Sequence, residues 1–495
     1  MKSWPRNLKE QCARVDSVCP VVVTLAMGLL VSSHVLAVGP PIGERPAITE
    51  HLDQQAIENG EHSLNGLVAA GQQLFDARFN LLDGRGRPGS TGTGAPRGPG
   101  QPNFIRTSGP DSNACSGCHA QPLSGGSGDF VANVFVLAQA LNPVTDSVDG
   151  VFSDERNTLG MFGSGPIEML AREMSADLIA IRDEARQLAE EKGKSVRQLL
   201  ETKGVSFGAI TVLPDGRVEP IEIEGVDWDL IVKPFHQKGA VVSLREFSNN
   251  AMNHHHGMQS VERFGAGNDA DDDGVFDELT VGDMTAITLF QAALPAPRPA
   301  RPQSAAVSKA IRSGALTFGE IQCDRCHRRE LVLENRKFSE PSPFNPVGNL
   351  QVQDTINTFV FDLVQSSNSP FVKRVGDEVL VRAFTDLKRH NLNDAELNHF
   401  DNEQVPQGLL TGFASPAQFT VVPESRPTGD FLTRKLWDAG NSDPYGHRGD
   451  LTTLTEAIWF HGGEARAERD AFFALPEVRQ AELIEFLKSM VVAAH

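Results

Sequence analysis

The sequence contains two identically spaced cysteine–histidine motifs, Cys115-Ser-Gly-Cys118-His119 and Cys323-Asp-Arg-Cys326-His327. Two thiols three residues apart on a helical turn reach the two vinyl groups of one haem, and the histidine that follows then ligates the iron. A zinc site, a thioredoxin-type dithiol and two short disulfides are the alternatives, but each motif offers only three zinc ligands in poor tetrahedral geometry. The motifs therefore predict two covalently bound haem c groups, one at each motif.

The two remaining cysteines, Cys12 and Cys19, lie in an N-terminal segment that has the features of an export signal. A basic start precedes an apolar run at Val21–Val31, and small or compact residues follow at 35–37. This run is shorter than the about 20 residues that a membrane-spanning helix needs, so a cleaved signal peptide is favoured over a membrane anchor. Residues 1–37 thus predict export to the periplasm, and the mature chain keeps no cysteine for a structural disulfide.

The composition is that of a soluble globular protein. Hydrophobic residues make up 40% of the 495 residues and charged residues 22%, which excludes global disorder and a coiled coil. The formal net charge of -19 repels phosphate, so nucleic acid is excluded as a first-choice partner.

A proline-rich segment, Leu294–Pro302, is typical of a stiff linker and divides the chain into two parts. The sequence predicts one haem c domain over residues 38–300, which would be catalytic, and a second over residues 301–495, which would transfer electrons. In each part a helical segment precedes the motif and a second helical segment closes the part. These segments are Gly71–Phe75, Met284–Leu294, Gly314–Phe318 and Leu483–Leu487.

This order of features resembles class I cytochrome c, in which an N-terminal helix, the haem motif and a crossing C-terminal helix follow one another. The first part also carries insertions that read as a loop, a helix and a β-hairpin. They cover residues 84–112, 166–200 and 209–223 respectively. The predicted fold is therefore mainly α: two tandem class I cytochrome c-like domains with loop, helix and small β-hairpin insertions in the first.

The segment from Asp443 to Ala465 resembles a pattern of the bacterial di-haem cytochrome c peroxidase superfamily, and within it the "di-haem oxidoreductase, putative peroxidase" branch. It contains a Pro-Tyr pair, a His-x-Gly turn and a helix that carries the distal ligand of the C-terminal haem in that superfamily. Phe384–Leu387 with His390, and Phe431–Arg434, also resemble family motifs.

The resemblance implies a sixth ligand for the C-terminal haem. In the peroxidases a methionine stands fourteen residues beyond the histidine of the turn, and counting from His447 leads to His461. His461 is therefore the candidate axial ligand opposite His327, with a helix-terminal histidine as the alternative. Bis-histidine coordination suits electron transfer and lowers the reduction potential relative to a methionine ligand.

The resemblance implies a different state for the N-terminal haem. The chain has no histidine between His119 and His236, which indicates an open sixth position. His254–His256 could fold back as a distal ligand, although a histidine triplet is more often polar surface structure. Reduction of peroxide at an open haem needs an acid/base, and Glu168 is the candidate because Arg156–Glu168 resembles the family's distal segment. The alternative is that Glu168 only complements a helix dipole.

An acidic segment matches the start of a calcium-binding loop. Asp269, Asp271 and Asp273 alternate before Gly274, but Thr280 stands where such a loop has its bidentate glutamate. A calcium site and a solvated acidic turn both remain open, and some family members hold calcium.

Together these features predict a periplasmic di-haem c oxidoreductase of the peroxidase type. It would reduce hydrogen peroxide, or meet dioxygen, with electrons from a small periplasmic donor such as a cytochrome c or a cupredoxin. The alternatives are a di-haem oxygenase or oxidase acting on an organic or protein substrate, and a non-enzymatic electron carrier. Trp228, Trp437 and Trp459 are equal candidates for an aromatic group between the haems.

Overall fold

Helices and very short strands alternate along the chain in the computed structural model. The structure describes residues 43–86, 112–133, 155–366, 369–397, 416–421 and 429–492. The predicted signal peptide and most of the predicted loop at 84–112 lie outside these ranges. Two units are distinguished, Met1–Arg45 and Pro46–His495, and everything below concerns the second.

Eleven helices are distinguished within the described ranges. They are α1 (Gln54–Glu58), α2 (Leu64–Asp76), α3 (Ser164–Lys192), α4 (Leu244–Ala251), α5 (Val261–Phe264), α6 (Val281–Ala293), α7 (Ala305–Glu320), α8 (Leu363–Ser366), α9 (Leu454–Trp459), α10 (Arg466–Phe473) and α11 (Glu477–Lys488). Side chains define the starts of the helices near the motifs: Ser63 accepts from Gly66 N in α2, and Ser304 accepts from Val307 N in α7.

The strands are two to eight residues long and form several small antiparallel sheets. They are β1 (Gly128–Asn133), β2 (Glu155–Thr158), β3 (Val196–Thr202), β4 (Val205–Val212), β5 (Val218–Glu219), β6 (Arg298–Pro299), β7 (Leu331–Leu333), β8 (Lys337–Glu340), β9 (Phe359–Asp362), β10 (Val372–Val375), β11 (Glu378–Val381), β12 (Arg389–Asn391), β13 (Asp430–Leu432) and β14 (Met490–Val491). Three-stranded sheets have the orders β3-β4-β5 and β10-β11-β7, and the pairs are β1-β2, β8-β9, β12-β13 and β14-β6.

The prediction of a mainly α fold is wrong, whereas the division into two tandem haem c domains stays a prediction. The described residues are 38% helix and 16% strand and form a mixed α/β fold. Strands also run through residues 331–432, so additional structure is not confined to the first part. Strands of two to four residues are too short to show a period of two in sequence, which is why the pattern missed them.

Two close helix crossings place the cysteine–histidine motifs. Helix α2 packs on α6, and a Cβ atom at Gly71 would lie 2.0 Å from the carbonyl oxygen of Ala286. Helix α7 packs on α11, and a Cβ atom at Gly314 would lie 2.0 Å from the carbonyl oxygen of Glu482. A side chain at either glycine would force the helices apart, so these glycines set the backbone approach beside each motif.

The predicted insertions and linker differ from the structure in detail. Helix α3 ends at Lys192 because Gly193 adopts φ 61°, and the chain then continues as β3 instead of extending the helix to 200. The hairpin turn at Asp215-Gly216 is present between β4 and β5. The proline-rich segment is not a free linker, because β6 pairs with β14 near the C-terminus.

The largest apolar core lies between α3, α6, α7 and α11 and the strands around them. Leu170, Leu178, Phe207, Trp437 and Phe472 are among its most buried side chains. Of the helices in the described ranges, none combines the length and apolar character that crossing a bilayer requires.

Candidate functional site

Each cysteine–histidine motif forms a tight turn. The second turn follows helix α7 directly, and the first lies beside helix α2. Residues Cys115–Gly117 and Cys323–Arg325 are short 3-10 turns. His119 N donates to Cys115 O over 2.9 Å, and His327 N donates to Cys323 O over 3.0 Å. Each motif therefore presents its first cysteine and its histidine from one turn, as haem attachment requires.

One cavity of about 1160 Å³ contains both motifs. The described residues that line it include every cysteine and histidine of the two motifs together with His461. Ordinary small-molecule pockets measure about 300–1,000 Å³, so this cavity is large enough for a bulky prosthetic group at the motifs that line it.

The motif histidines are held in the orientation that a metal ligand needs. His119 Nδ1 lies 3.0 Å from Leu159 O, and His327 Nδ1 lies 3.0 Å from Phe384 O. A carbonyl oxygen can only accept, so each Nδ1 carries the proton and each Nε2 keeps its lone pair. Burial lowers the pKa of both His119 and His327 to about 4, which keeps the imidazoles neutral.

His461 lies opposite His327 across the cavity. The ring centroids are 6.4 Å apart with the planes inclined at 48°. Two imidazoles that share one metal ion lie about 6 Å apart, since each metal–nitrogen bond is about 2 Å long and each nitrogen lies about 1 Å from its ring centre. His461 Nδ1 donates to Ala457 O over 2.6 Å, which leaves its Nε2 available as well.

The histidine triplet lies beside the first motif. Met252–His256 forms a π-helical turn, a feature that is frequent at functional sites, and all three histidines line the cavity. His256 Nδ1 donates to Ser112 O over 2.8 Å, and its Nε2 lies 3.5 Å from Cys115 Sγ. His255 is close enough to His119 for its charge to add to the effect of burial on the pKa of His119.

Glu168, the predicted acid/base, is not among the described residues that line the cavity. Its Oε1 forms a buried ion pair with Arg172, at 2.5 Å from Nη2, and its Oε2 accepts from Leu244 N over 2.8 Å. Both oxygens are thus engaged in structural contacts, and the catalytic role of Glu168 stays a prediction.

Glu246, which no sequence motif singled out as a site residue, does line the cavity. Its Oε2 accepts from Val242 N over 2.8 Å, and burial raises the pKa of its carboxyl. The pattern Ser243-Leu-Arg-Glu246 is that of a capping box, so the sequence signal indicated only a helix start.

A charged cluster lies beside the second motif. His390 is hydrogen-bonded at 2.8 Å to both Asp386 and Glu464, and a nitrogen of His390 lies within 4.8 Å of Cys326 Sγ. Burial alone would lower the pKa of His390, but hydrogen bonds to Asp386, Cys326 and Glu464 raise it to about 12. His390 is therefore a stable cation at this edge of the cavity.

None of the three candidate tryptophans is among the described lining residues of the cavity. Trp437 is fully buried, and its Nε1 donates to Arg382 O. Trp228 packs on Phe419, whereas Trp459, two residues before His461, is 46% exposed.

Three carboxylates of the predicted calcium loop come together. One oxygen from each of Asp269, Asp271 and Asp273 lies within 4.8 Å of the others. Thr280 does not belong to the group, because it caps α6 together with Asp283.

The donors around the cavity fit two haem c groups. The cysteine pairs Cys115/Cys118 and Cys323/Cys326 form no disulfides, so their thiols can form thioethers. Each pair has a neutral histidine beside it with an available Nε2, and the cavity wall supplies apolar contacts from side chains such as Phe75 and Phe318.

Comparison with known proteins supports this interpretation for part of the chain. The family model described as "Di-haem oxidoreductase, putative peroxidase" matches residues 427–490. A structure of Kuenenia stuttgartiensis hydrazine synthase, pressurized with 20 bar xenon, has a TM-score of 0.35 and 12% sequence identity, and the match covers 96% of this chain and 100% of that one. No curated protein matches the chain.

The matched segment includes His447 and His461, which carried the resemblance in the sequence analysis. The resemblance is therefore confirmed over residues 427–490, where the chain matches the di-haem oxidoreductase, putative peroxidase family.

Proposed function

We propose that this protein is an exported, periplasmic di-haem c oxidoreductase that reduces hydrogen peroxide. The observation that carries the proposal is that a single cavity holds both cysteine–histidine motifs, with His461 6.4 Å from His327. The family match over residues 427–490 supports the same class of chemistry.

Four thiols and three histidines would hold the two groups. Cys115 and Cys118 would form thioethers with His119 as axial ligand, and Cys323 and Cys326 would do so with His327 and His461. When bound, haem c supplies an iron that exchanges single electrons and, where one axial position is open, accepts a small oxygen ligand.

The two ends of the cavity have different tasks in this proposal. Near the second motif, His327 and His461 would both hold the group, so this end would exclude substrate and pass electrons on. Near the first motif, His119 would be the histidine that holds the group, and this end would admit peroxide.

Glu464 and Glu468 line the cavity beside the second motif, so Glu246 is the remaining carboxylate among the described lining residues and would move the peroxide proton. Val242 N occupies its Oε2, so Oε1 is the atom that would take up and return a proton. Burial raises the pKa of this carboxyl, which favours its holding a proton during O–O bond cleavage.

The electron donor in this proposal is a small periplasmic protein, such as a cytochrome c or a cupredoxin. The exposed Trp459 lies two residues before His461 and packs edge-on against Phe473 at 5.1 Å. This aromatic surface therefore supports electron entry near the second motif.

The first experiment is low-temperature EPR of the ferric protein, followed by titration with cyanide. One high-spin and one low-spin haem, with one cyanide bound per chain, is the expected result. Steady-state reduction of peroxide by a reduced cytochrome c then tests the reaction itself. If turnover is negligible although cyanide binds, peroxide is not the substrate.

A second candidate function is electron transfer without catalysis. The observation that favours it is the position of His254–His256 on the cavity wall, with His256 beside Cys115. Two low-spin signals, together with no cyanide binding in either oxidation state, would support this function instead.

A further inference from the structure

The acidic loop after α5 is more deeply buried than an ordinary surface turn. Asp271 is 8% exposed, and its Oδ2 has no hydrogen-bond partner. Glu278, which lies outside the predicted motif, is 4% exposed, and its Oε1 also has no partner. A buried carboxylate oxygen without a donor is costly unless a cation neutralises it.

Both carboxylates are fixed by one residue. Gln259 Nε2 donates to Asp271 Oδ1 over 2.5 Å, and Gln259 N donates to Glu278 Oε2 over 2.7 Å. Ala270 N in turn donates to Gln259 Oε1 over 2.9 Å. The remaining oxygens, Asp271 Oδ2 and Glu278 Oε1, are thereby fixed near the other carboxylates of the loop. Neither oxygen accepts a hydrogen bond.

The first aspartate is already in the arrangement that a cation loop uses. Asp269 accepts from Asp273 N over 3.1 Å and from Gly274 N over 2.8 Å, which closes the turn at Gly274. Asp277, which stands at the ninth loop position, instead accepts from Gly267 N over 2.7 Å and is exposed. The tenth position, Glu278, supplies the buried carboxylate.

We propose that this loop binds one calcium ion through Asp269, Asp271 and Asp273, with Glu278 joining through a bound water. The donors are all oxygen atoms, and one from each aspartate lies within the 4.8 Å that a shared ion of this size permits. Glu278 lies outside this group of three, and loops of this kind often contribute one ligand through water. Calcium is preferred to magnesium because magnesium retains several waters and is seldom enclosed by dedicated protein carboxylates.

The ion would join two parts of the chain that matter for the cavity. Gln259 lies three residues after His256, and Glu278 lies two residues before the cap of α6 at Thr280. A backbone hydrogen bond from Val261 N to Leu279 O connects the same segments. Calcium would therefore stabilise the histidine segment against the helix that crosses α2.

Calorimetric titration of EDTA-treated holoprotein with calcium chloride tests the proposal. One ion per chain is expected, and the Tm is expected to rise by about 3 °C or more at saturation. Asp271→Asn and Glu278→Gln are each expected to weaken binding about tenfold or more, since affinity in such loops depends on the number of charged ligands. In EDTA both variants are expected to be at least as stable as the wild type, because each replaces a buried carboxyl, which is costly to ionise, with a neutral amide.

Asp272→Asn is the matched control, because it removes one charge from the same loop at an exposed residue with φ 58°, a conformation that asparagine accepts. It is expected to leave calcium affinity within about twofold. Absence of a calcium-dependent Tm shift in the wild type would overturn the proposal, as would equal weakening by Asp272→Asn or equal affinity for magnesium.

Discussion

His327 and His461 lie with their ring centroids 6.4 Å apart, although they are 134 positions apart in sequence. Each imidazole donates its Nδ1 proton to a backbone carbonyl, Phe384 O for His327 and Ala457 O for His461. Both Nε2 atoms therefore remain available, which is the arrangement that two axial ligands of one iron require.

Substitution of His461 is expected to change the C-terminal haem alone. His461→Ala should convert one low-spin haem to high spin in the EPR spectrum of the ferric protein. His461→Met should retain six ligands and raise the reduction potential of that haem in a redox titration, because a thioether donates less to Fe(III) than an imidazole does.

His62→Ala is the control for these variants, because His62 does not line the cavity. Its spectra and potentials are expected to match those of the wild type. Unchanged haem spectra in His461→Ala would show that His461 is not an axial ligand.

The motif-bearing helices could be predicted from sequence because each has a local signal. Apolar and small residues recur around Gly71 and Gly314, and helices α2 and α7 lie there. His461 could be predicted only by resemblance, since nothing in its immediate neighbours distinguishes a ligand from a helix-terminal histidine.

Apart from the hairpin that turns at Asp215-Gly216, the sheets could not be predicted from sequence, and neither could the positions of two carboxylates. Strands such as β6 and β14 have two residues each and pair across almost the whole second part of the chain, so no local pattern exists. Glu246 lies in a capping-box sequence and Glu278 lies outside the aspartate motif. Their positions at the cavity and at the acidic loop depend on tertiary packing.

Glu246→Gln is expected to lower peroxide turnover by about 10²–10⁴-fold, the usual contribution of a positioned acid/base. Glutamine can still accept from Val242 N, so the fold should be retained. Steady-state kcat with a reduced cytochrome c, together with Tm, is the measurement.

Glu168→Gln tests whether Glu168, rather than Glu246, is the acid/base of the reaction. Arg172 and Glu168 form a buried ion pair, and breaking such a pair costs about 3–5 kcal/mol, so stability should fall. The folded variant should keep its turnover. Loss of turnover in folded Glu168→Gln, with full activity in Glu246→Gln, would restore the role that the sequence predicted.

His51 makes stability depend on pH. Its Nδ1 lies 2.6 Å from Asp283 Oδ2, and this hydrogen bond raises the pKa of His51 above its usual value despite partial burial. The stability that His51 contributes is therefore fully present below the pKa of His51 in the unfolded chain, about 6.5. It is lost as the pH rises through the raised pKa of His51 in the folded protein.

Urea unfolding of the wild type and His51→Gln at about pH 5 and about pH 9 measures this contribution. The wild type is expected to be the more stable protein at low pH, with a smaller difference at high pH. His62→Gln serves as the control. A difference that grows with pH would contradict the assignment.

Arg245 is the most demanding stability test, because it is fully buried and contacts three other elements. It pairs with Glu262 on α5 and with Glu340 on β8 at 2.8 Å, and it donates to Thr285 Oγ1 on α6 over 3.0 Å. Arg245→Met would leave two buried carboxylates without their cation, so the free energy of unfolding is expected to fall by about 3–5 kcal/mol.

Arg197→Met provides the matched comparison, because Arg197 also pairs with a glutamate, Glu222, but both side chains are about half exposed. Water replaces the lost contact there, so the free energy of unfolding should remain nearly unchanged. Chemical denaturation of both variants measures the two effects under the same conditions. If Arg245→Met were as stable as Arg197→Met, the buried carboxylates would have to be neutral in the folded protein. Burial already raises the pKa of Glu340 to about 7 against the effect of Arg245, so repeating the measurement at lower pH, where Glu340 binds a proton, should reduce the cost of Arg245→Met.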